Sequence, residues 1–219
     1  MSFDWNTAWD ALPQLLRGLL IALQATVLGY LIALVLGLVF ALLRRSGQPW
    51  IRIPVAVVIE FIRSTPLLVQ LFFLFFVLPT AGIQLSPLAT GAIGLGIHYA
   101  TYTSEVYRAG IDGVPVGQWE AATALSLPRW RTWTRIVLPQ AVKRILPALG
   151  NYAISMFKDT PQLTVITVIE VLSVVKSIGA QNFQYLELIT AAGLVYLAAA
   201  LLIAWPVRIV ERRYRREIA

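Results

Sequence analysis

The sequence predicts an all-α membrane protein with about five transmembrane helices in a single domain. Three observations carry that prediction. First, the 219-residue chain is 58% hydrophobic and only 13% charged, with a mean hydropathy of +0.72. A soluble domain averages about 25% charged residues, so this chain lacks the charge to cover a water-facing surface. Second, it contains apolar runs long enough to cross the hydrocarbon core as helices. Third, its basic residues gather in alternate loops and the tail, as the positive-inside rule requires.

The first apolar run, 18–43, has Gln24, Thr26 and Tyr30 as its polar interruptions, and Arg44-Arg45 followed by Ser46-Gly47-Gln48-Pro49 stops it. The segment before it begins with Asp4 and Asp10 and reaches Arg17 only later, the reverse of a signal peptide's basic start. The second run, 54–78, holds a polar island, Glu60-Phe61-Ile62-Arg63-Ser64-Thr65-Pro66. The third, 87–108, carries Gly91, Gly94 and Gly96 at spacings that permit close helix packing. The stretch from Ala141 to Val175 is too long for one straight crossing. It reads as a fourth span over 142–158, a break at Asp159–Pro161, and a shorter helix to Val175. The fifth span is 188–207, followed by the basic tail. No internal repeat or soluble domain interrupts this pattern.

Charge sets the orientation. With the N-terminus outside, Arg44, Arg45, Arg52, Arg108, Arg129, Arg131, Arg135, Lys143, Arg144, Arg208, Arg212, Arg213, Arg215 and Arg216 lie inside, against Arg17 and Lys176 outside. The chain has no cysteine and one histidine, His98, which excludes disulfides, thiolate metal sites and multi-histidine sites. Neither a Gly-x-Ser-x-Gly nor a His-Glu-x-x-His motif occurs, so an embedded hydrolase has no machinery. The net charge of +7 belongs to the cytoplasmic face of a membrane protein rather than to a nucleic-acid binder.

The loop over 111–139 is no plain connector. Glu120-Ala121-Ala122-Thr123-Ala124-Leu125 is strong helix-forming sequence. Ser126-Leu127-Pro128 breaks it and starts a second short helix with Trp130, Trp133, Ile136 and Val137 on its apolar side, which Pro139 ends. Composition fits both a rigid helix–turn–helix and an amphipathic helix lying on headgroups. The spacing Glu120-Ala121-Ala122, Ser126, Ile136, Leu138-Pro139, with Gly117 just upstream, resembles the EAA motif in membrane subunits of bacterial ABC importers. The family usually has glycine where this chain has Ser126. The likeness extends to Phe61-Ile62-Arg63-Ser64-Thr65-Pro66-Leu67-Leu68-Val69-Gln70, to Glu105-Val106-Tyr107-Arg108-Ala109-Gly110-Ile111, to Asn151-Tyr152, and to Lys158-Asp159-Thr160-Pro161 with Glu170. It covers roughly 15–210 and points to the polar amino acid (histidine/glutamine) permease subfamily. The segments 94–108 and 156–161 also resemble ectoine/hydroxyectoine permeases.

The resemblance implies a type I ABC importer permease in the bacterial inner membrane, doing no covalent chemistry and holding no cofactor or metal itself. ATP and Mg would sit on two cytoplasmic ATPase subunits that receive the loop. A second permease chain and a periplasmic solute-binding protein would complete the assembly. An ATPase-independent channel or secondary-transporter subunit is the alternative.

Charges at membrane depth are functional candidates because burying one costs at least about 2.5 kcal/mol. Glu60 and Arg63 stand at i,i+3 and can pair, which would make them structural. Glu105 can pair with Arg108 or Arg144. Lys158, Asp159 and Glu170, with Tyr99 and Tyr102 at i,i+3, are the further candidates for a solute path. His98 is read as a core residue with one satisfied bond.

Overall fold

The computed structural model describes residues 3–218, with side chains as far as Arg212. Arg213, Arg215 and Arg216, counted above for orientation, therefore have side chains outside the described residues. All regular structure among the described residues is helical.

Helix α1 (Trp5–Arg44) is 40 residues long, about 60 Å, roughly twice the hydrocarbon core. It starts well before the expected 18 because the Asp4 carboxylate accepts from the Asn6 amide at 2.9 Å and caps it. Its buried face reads Ala8, Ala11, Leu15, Gly18, Ala22, Ala25, Gly29, Ala33, Gly37 and Ala41, a stripe of small residues at steps of three and four. In a bilayer, lipid tails are as apolar as leucine, so helices associate by close packing and interhelical hydrogen bonds. The stripe serves that purpose against α4 (Pro87–Asp112). A Cβ on Gly37 would lie 2.9 Å from the Ala100 carbonyl oxygen, and one on Gly96 would lie 2.6 Å from Ile32 Cγ2. The Thr103 hydroxyl then donates to the Ala33 carbonyl at 2.8 Å, and Tyr107 donates to the Leu34 carbonyl at 3.2 Å. Gly37→Leu should therefore destabilise the chain by about 3 kcal/mol or more, seen as loss of monodisperse protein in detergent. Gly193→Ala, with nothing within 4 Å of its new Cβ, should be neutral or mildly stabilising.

The expected second span is broken. Helix α2 (Pro49–Ser64) and the segment Leu67–Ala81, which begins as α3 (Leu67–Phe72), meet at an angle of 103°. Pro66 has no N–H and restricts Thr65, which is extended at φ −101°, ψ 140°. The Gln70 amide reaches back to the Ile62 and Thr65 carbonyls at 2.7 and 3.1 Å and satisfies groups the break exposes. A π-helical turn (Phe73–Val77) follows, then a 3₁₀ turn (Leu78–Ala81).

After α4, helix α5 (Val116–Ala124) projects from its end. A short α6 (Arg129–Arg131) leads through a second π turn (Thr132–Val137) into α7 (Leu138–Asp159). Both π turns lie just before a proline. Pro79 and Pro139 offer no N–H to the carbonyls of Phe75 and Arg135, and the widened turn is the local response. Pro139 thus does not end the second loop helix, as its sequence suggested. It sits in the first turn of α7, where a missing N–H is harmless.

The break in the fourth segment is also displaced. Pro161 starts a 3₁₀ helix (Thr160–Ile166), and the sharp turn comes at Thr167, in the left-handed region at φ 63°. Glu170 then caps α8 (Val171–Asn182), which runs past the expected Val175. The axis bends by 48° across this break. Helix α9 (Tyr185–Ile218) closes the chain and outruns the expected 188–207 at both ends.

By length and apolarity α1 and α9 each qualify as membrane spans, and each bent pair qualifies as one broken span. Helix α4 is 26 residues long but polar, because its Thr90, Thr101, Thr103 and Ser104 are buried between neighbouring helices rather than facing lipid. One core cluster joins Leu71, Leu95, Tyr99, Met156 and Leu163 at the centre of the molecule, and another joins Leu15, Val171 and Leu188 near the start of α1.

Candidate functional site

Two loci hold the residues singled out above. The first is α5 with its turn. Ala122 is buried, whereas Gly117, Glu120, Ala121 and Ser126 are exposed. The helix ends in a Schellman arrangement: the Leu127 amide donates to the Ala122 carbonyl at 3.0 Å and the Ser126 amide to the Thr123 carbonyl at 2.9 Å. Ser126 takes φ 53°, the left-handed conformation that glycine adopts freely. The turn is therefore made by backbone geometry, with serine bearing the strain. Ser126→Gly should stabilise the loop by about 1 kcal/mol, measurable as slower proteolysis there.

Trp119 on α5 meets Trp133 on the π turn edge to face, with centroids 5.4 Å apart. Ile111, Val114, Val137 and Ala141 fill the space beneath them. Ile136 is half-buried, Leu138 and Pro139 are exposed, and Gln140 donates to the Gln118 side chain at 3.2 Å. Motif residues from both sides of the turn thus pack against the start of α7. Glu120, Leu125 and Trp130 remain on the outside.

The second locus lies where the two broken segments approach α4. Tyr99, Tyr102 and Tyr152 form a ring cluster with centroids 5.6 to 6.2 Å apart, and the His98 ring joins it at 5.3 Å from Tyr102. The Arg63 guanidinium stands over Tyr102, 5.2 Å from its centroid. Tyr99 donates to Asp159 Oδ2 at 2.6 Å, and Gln162 reaches Oδ1 at 3.3 Å. The His98 Nδ1 lies 3.2 Å from Gln70 Oε1, which ties the ring to the α2–α3 break. A cation over the Tyr102 face and a carboxylate at the Tyr99 hydroxyl thus flank one aromatic cluster. Tyr152 and Gln70 were not singled out as site residues. Tyr152 precedes Asp159 by seven residues, two turns along one face of α7, and that spacing was the available signal.

Other candidates sit elsewhere. Glu60 and Arg63 form no ion pair among the described residues: the Ser64 hydroxyl approaches Glu60 at 3.5 Å, and Arg63 has turned to Tyr102. Glu105 is paired with Arg108 at 3.0 Å and also with Arg44, which sequence spacing could not reveal. Arg45 pairs with Asp112 at the same end. Lys158 is exposed. Glu170 is fully buried and does not face open space. It accepts from Thr164 at 2.6 Å, from the Ser173 amide at 3.0 Å and from Tyr196, so its carboxylate is occupied in holding α8 and α9 at the second break.

A bent-helix bundle with a projecting loop helix and a polar–aromatic interior is the architecture of a helical membrane protein. Residues 33–216 match the family described as the binding-protein-dependent transport system inner membrane component, and the chain belongs to that family. It is 50% identical over 216 residues to a probable amino-acid ABC transporter permease protein, y4tG, of Sinorhizobium fredii, covering 95% of this chain and 94% of that protein. It is 38% identical to the glutamine transport system permease protein GlnP of Escherichia coli, covering 98% and 99%. Its fold is similar to a crystal structure of an amino acid ABC transporter with histidines, with a TM-score of 0.91 and 32% identity over 97% of this chain and all of that one. An inward-facing methionine transporter, MetNI, shares the fold at a TM-score of 0.74 and 19% identity. The chain is accordingly an ABC-importer permease of the amino-acid type.

Proposed function

We propose that the chain forms half of a translocation path for a polar amino acid or a similar zwitterion, ectoine and hydroxyectoine included. The observation that carries this is the cluster at the second locus. Arg63 suits a carboxylate, Asp159 suits an ammonium or ring cation, and Tyr99, Tyr102 and Tyr152 supply faces for it. The path residues are then Arg63, Tyr99, Tyr102 and Asp159, with Glu60 and Lys158 flanking. Glu105 and Glu170 hold helices in place.

The chain crosses the inner membrane five times, α4 included, with its N-terminus outside and C-terminus in the cytoplasm. A single bundle of this thickness cannot enclose a path, so a second permease chain, identical or homologous, completes it. Two ATPase subunits bind ATP and Mg and receive α5, and a periplasmic binding protein delivers the solute. The chain itself does no covalent chemistry. Tagged chain purified from its native membrane should bring down an ATPase and no unrelated channel subunit. Purification without any ATPase would favour the ATP-independent alternative. A C-terminal reporter should be active in the cytoplasm, and activity confined to the periplasm would overturn the orientation.

A further inference from the structure

A charged cleft lies at the α5 end of the molecule, and of the residues already described it takes in Glu60, Arg44 and Arg108. The end of α1, the first three turns of α2 and the last turns of α4 border an open cleft of about 550 Å³, within the size range of small-molecule sites. Arg44, Arg52 and Arg108 line it with Glu60, and Ala56 forms the wall between the two α2 charges.

The charges are incompletely matched. Arg44 and Arg108 share the single Glu105 carboxylate, and a guanidinium has five N–H donors, so both keep donors to spare. Arg52 and Glu60 form no ion pair among the described residues. Eight residues separate them, about 12 Å of helix rise. The cleft therefore offers cations towards one end and, towards the other, a carboxylate that forms no ion pair among the described residues and meets only the Ser64 hydroxyl at 3.5 Å. A simple anion such as phosphate would satisfy the arginines but meet repulsion from Glu60. An apolar molecule would desolvate every charge without a partner. A dipolar molecule supplies a group of each sign, and the long Arg52 and Glu60 side chains can close on it across the roughly 12 Å between their backbones.

Its position adds to this. Glu60 lies one turn before Arg63 on α2, and Tyr102, Glu105 and Arg108 follow one another by turns along α4. The cleft thus continues the aromatic cluster towards the loop helix. We propose that it is a second binding site for the transported zwitterion, occupied on the way out at the coupling end. Arg52 and Arg108 take the carboxylate and Glu60 takes the ammonium. Glu105 is a positioning residue that holds Arg44 and Arg108 at the wall. This rests on the reading that the chain moves a zwitterion.

The chain has no cysteine, so Ala56→Cys places a single thiol in the wall. The full chain would be put in phosphatidylcholine nanodiscs and the alkylation rate of that thiol by N-ethylmaleimide followed with L-glutamine, L-arginine or ectoine present. At least one of the three should slow labelling by about threefold or more, the effect of a well-occupied site. Inorganic phosphate, acetate and added phosphatidylglycerol should not. Protection should vanish when Glu60→Gln or Arg52→Gln is added, both at exposed positions that leave packing unchanged. No protection by any zwitterion, or protection that survives Glu60→Gln, would overturn the proposal. Equal protection by phosphate or phosphatidylglycerol would make the cleft an anion or headgroup site instead. ATP-dependent uptake with no protection at position 56 would remove this site alone, whereas absent uptake would remove the parent reading.

Discussion

Glu120→Lys should uncouple ATP hydrolysis from solute. In the reconstituted assembly, solute-stimulated ATPase activity should fall by about 30-fold, the scale of losing one charged partner from an interface. The chain should still insert and remain monodisperse. Glu120 is exposed on a short helix, while Ala122, two residues on, is buried beneath it. A charge reversal there changes the docking surface and leaves the Trp119–Trp133 clamp intact. Alanine at Trp133 should behave differently: docking should persist, but α5 should no longer move α7, so nucleotide turnover and transport should separate. Wild-type coupling in Glu120→Lys would remove α5 from the ATPase interface.

Asp159→Asn should cut transport by about tenfold or more, the loss expected for a charge-assisted hydrogen bond. Asparagine keeps the size and can still accept from Tyr99, whose hydroxyl lies 2.6 Å away. Assembly with the ATPase should therefore survive. A purely structural carboxylate would show the opposite pattern, with little loss of transport per assembled complex. Lys158→Gln provides the contrast. Its side chain is exposed and takes no part in the ring cluster, so its loss should be several-fold smaller.

The sequence made the helical membrane architecture legible because hydropathy registers helix-length apolar runs directly. It made the helix and turn over 120–126 legible because helix and turn signals are local. Glu120, Ala122 and Ser126 depend on one short helix and its turn, and the left-handed Ser126 stands where glycine is usual. Bends were harder to place. Pro66 marks its break, whereas Pro161 enters a 3₁₀ helix and leaves the sharp turn to Thr167, which carries no comparable signal. Pro139 misled for a related reason: a π turn absorbs its missing hydrogen bond and the helix continues.

Pairings across helices were not legible at all. Arg44 with Glu105, and Glu170 with Tyr196, depend on how α1, α4 and α9 are brought together. The i,i+3 rule suggested Glu60 with Arg63, but a tyrosine face on α4 competes for the same guanidinium. The small-residue stripe of α1, which decides how closely α1 and α4 approach, was readable in its steps of three and four. Within so apolar a run, hydropathy alone does not separate it from the lipid-facing leucines and valines.

The most direct test is uptake by proteoliposomes containing this chain, its second permease chain and the ATPase, supplied with binding protein and a labelled amino acid. Uptake should require ATP inside, the binding protein outside and an intact Glu120. Uptake that proceeds without the ATPase, or is driven by an ion gradient alone, would contradict the account.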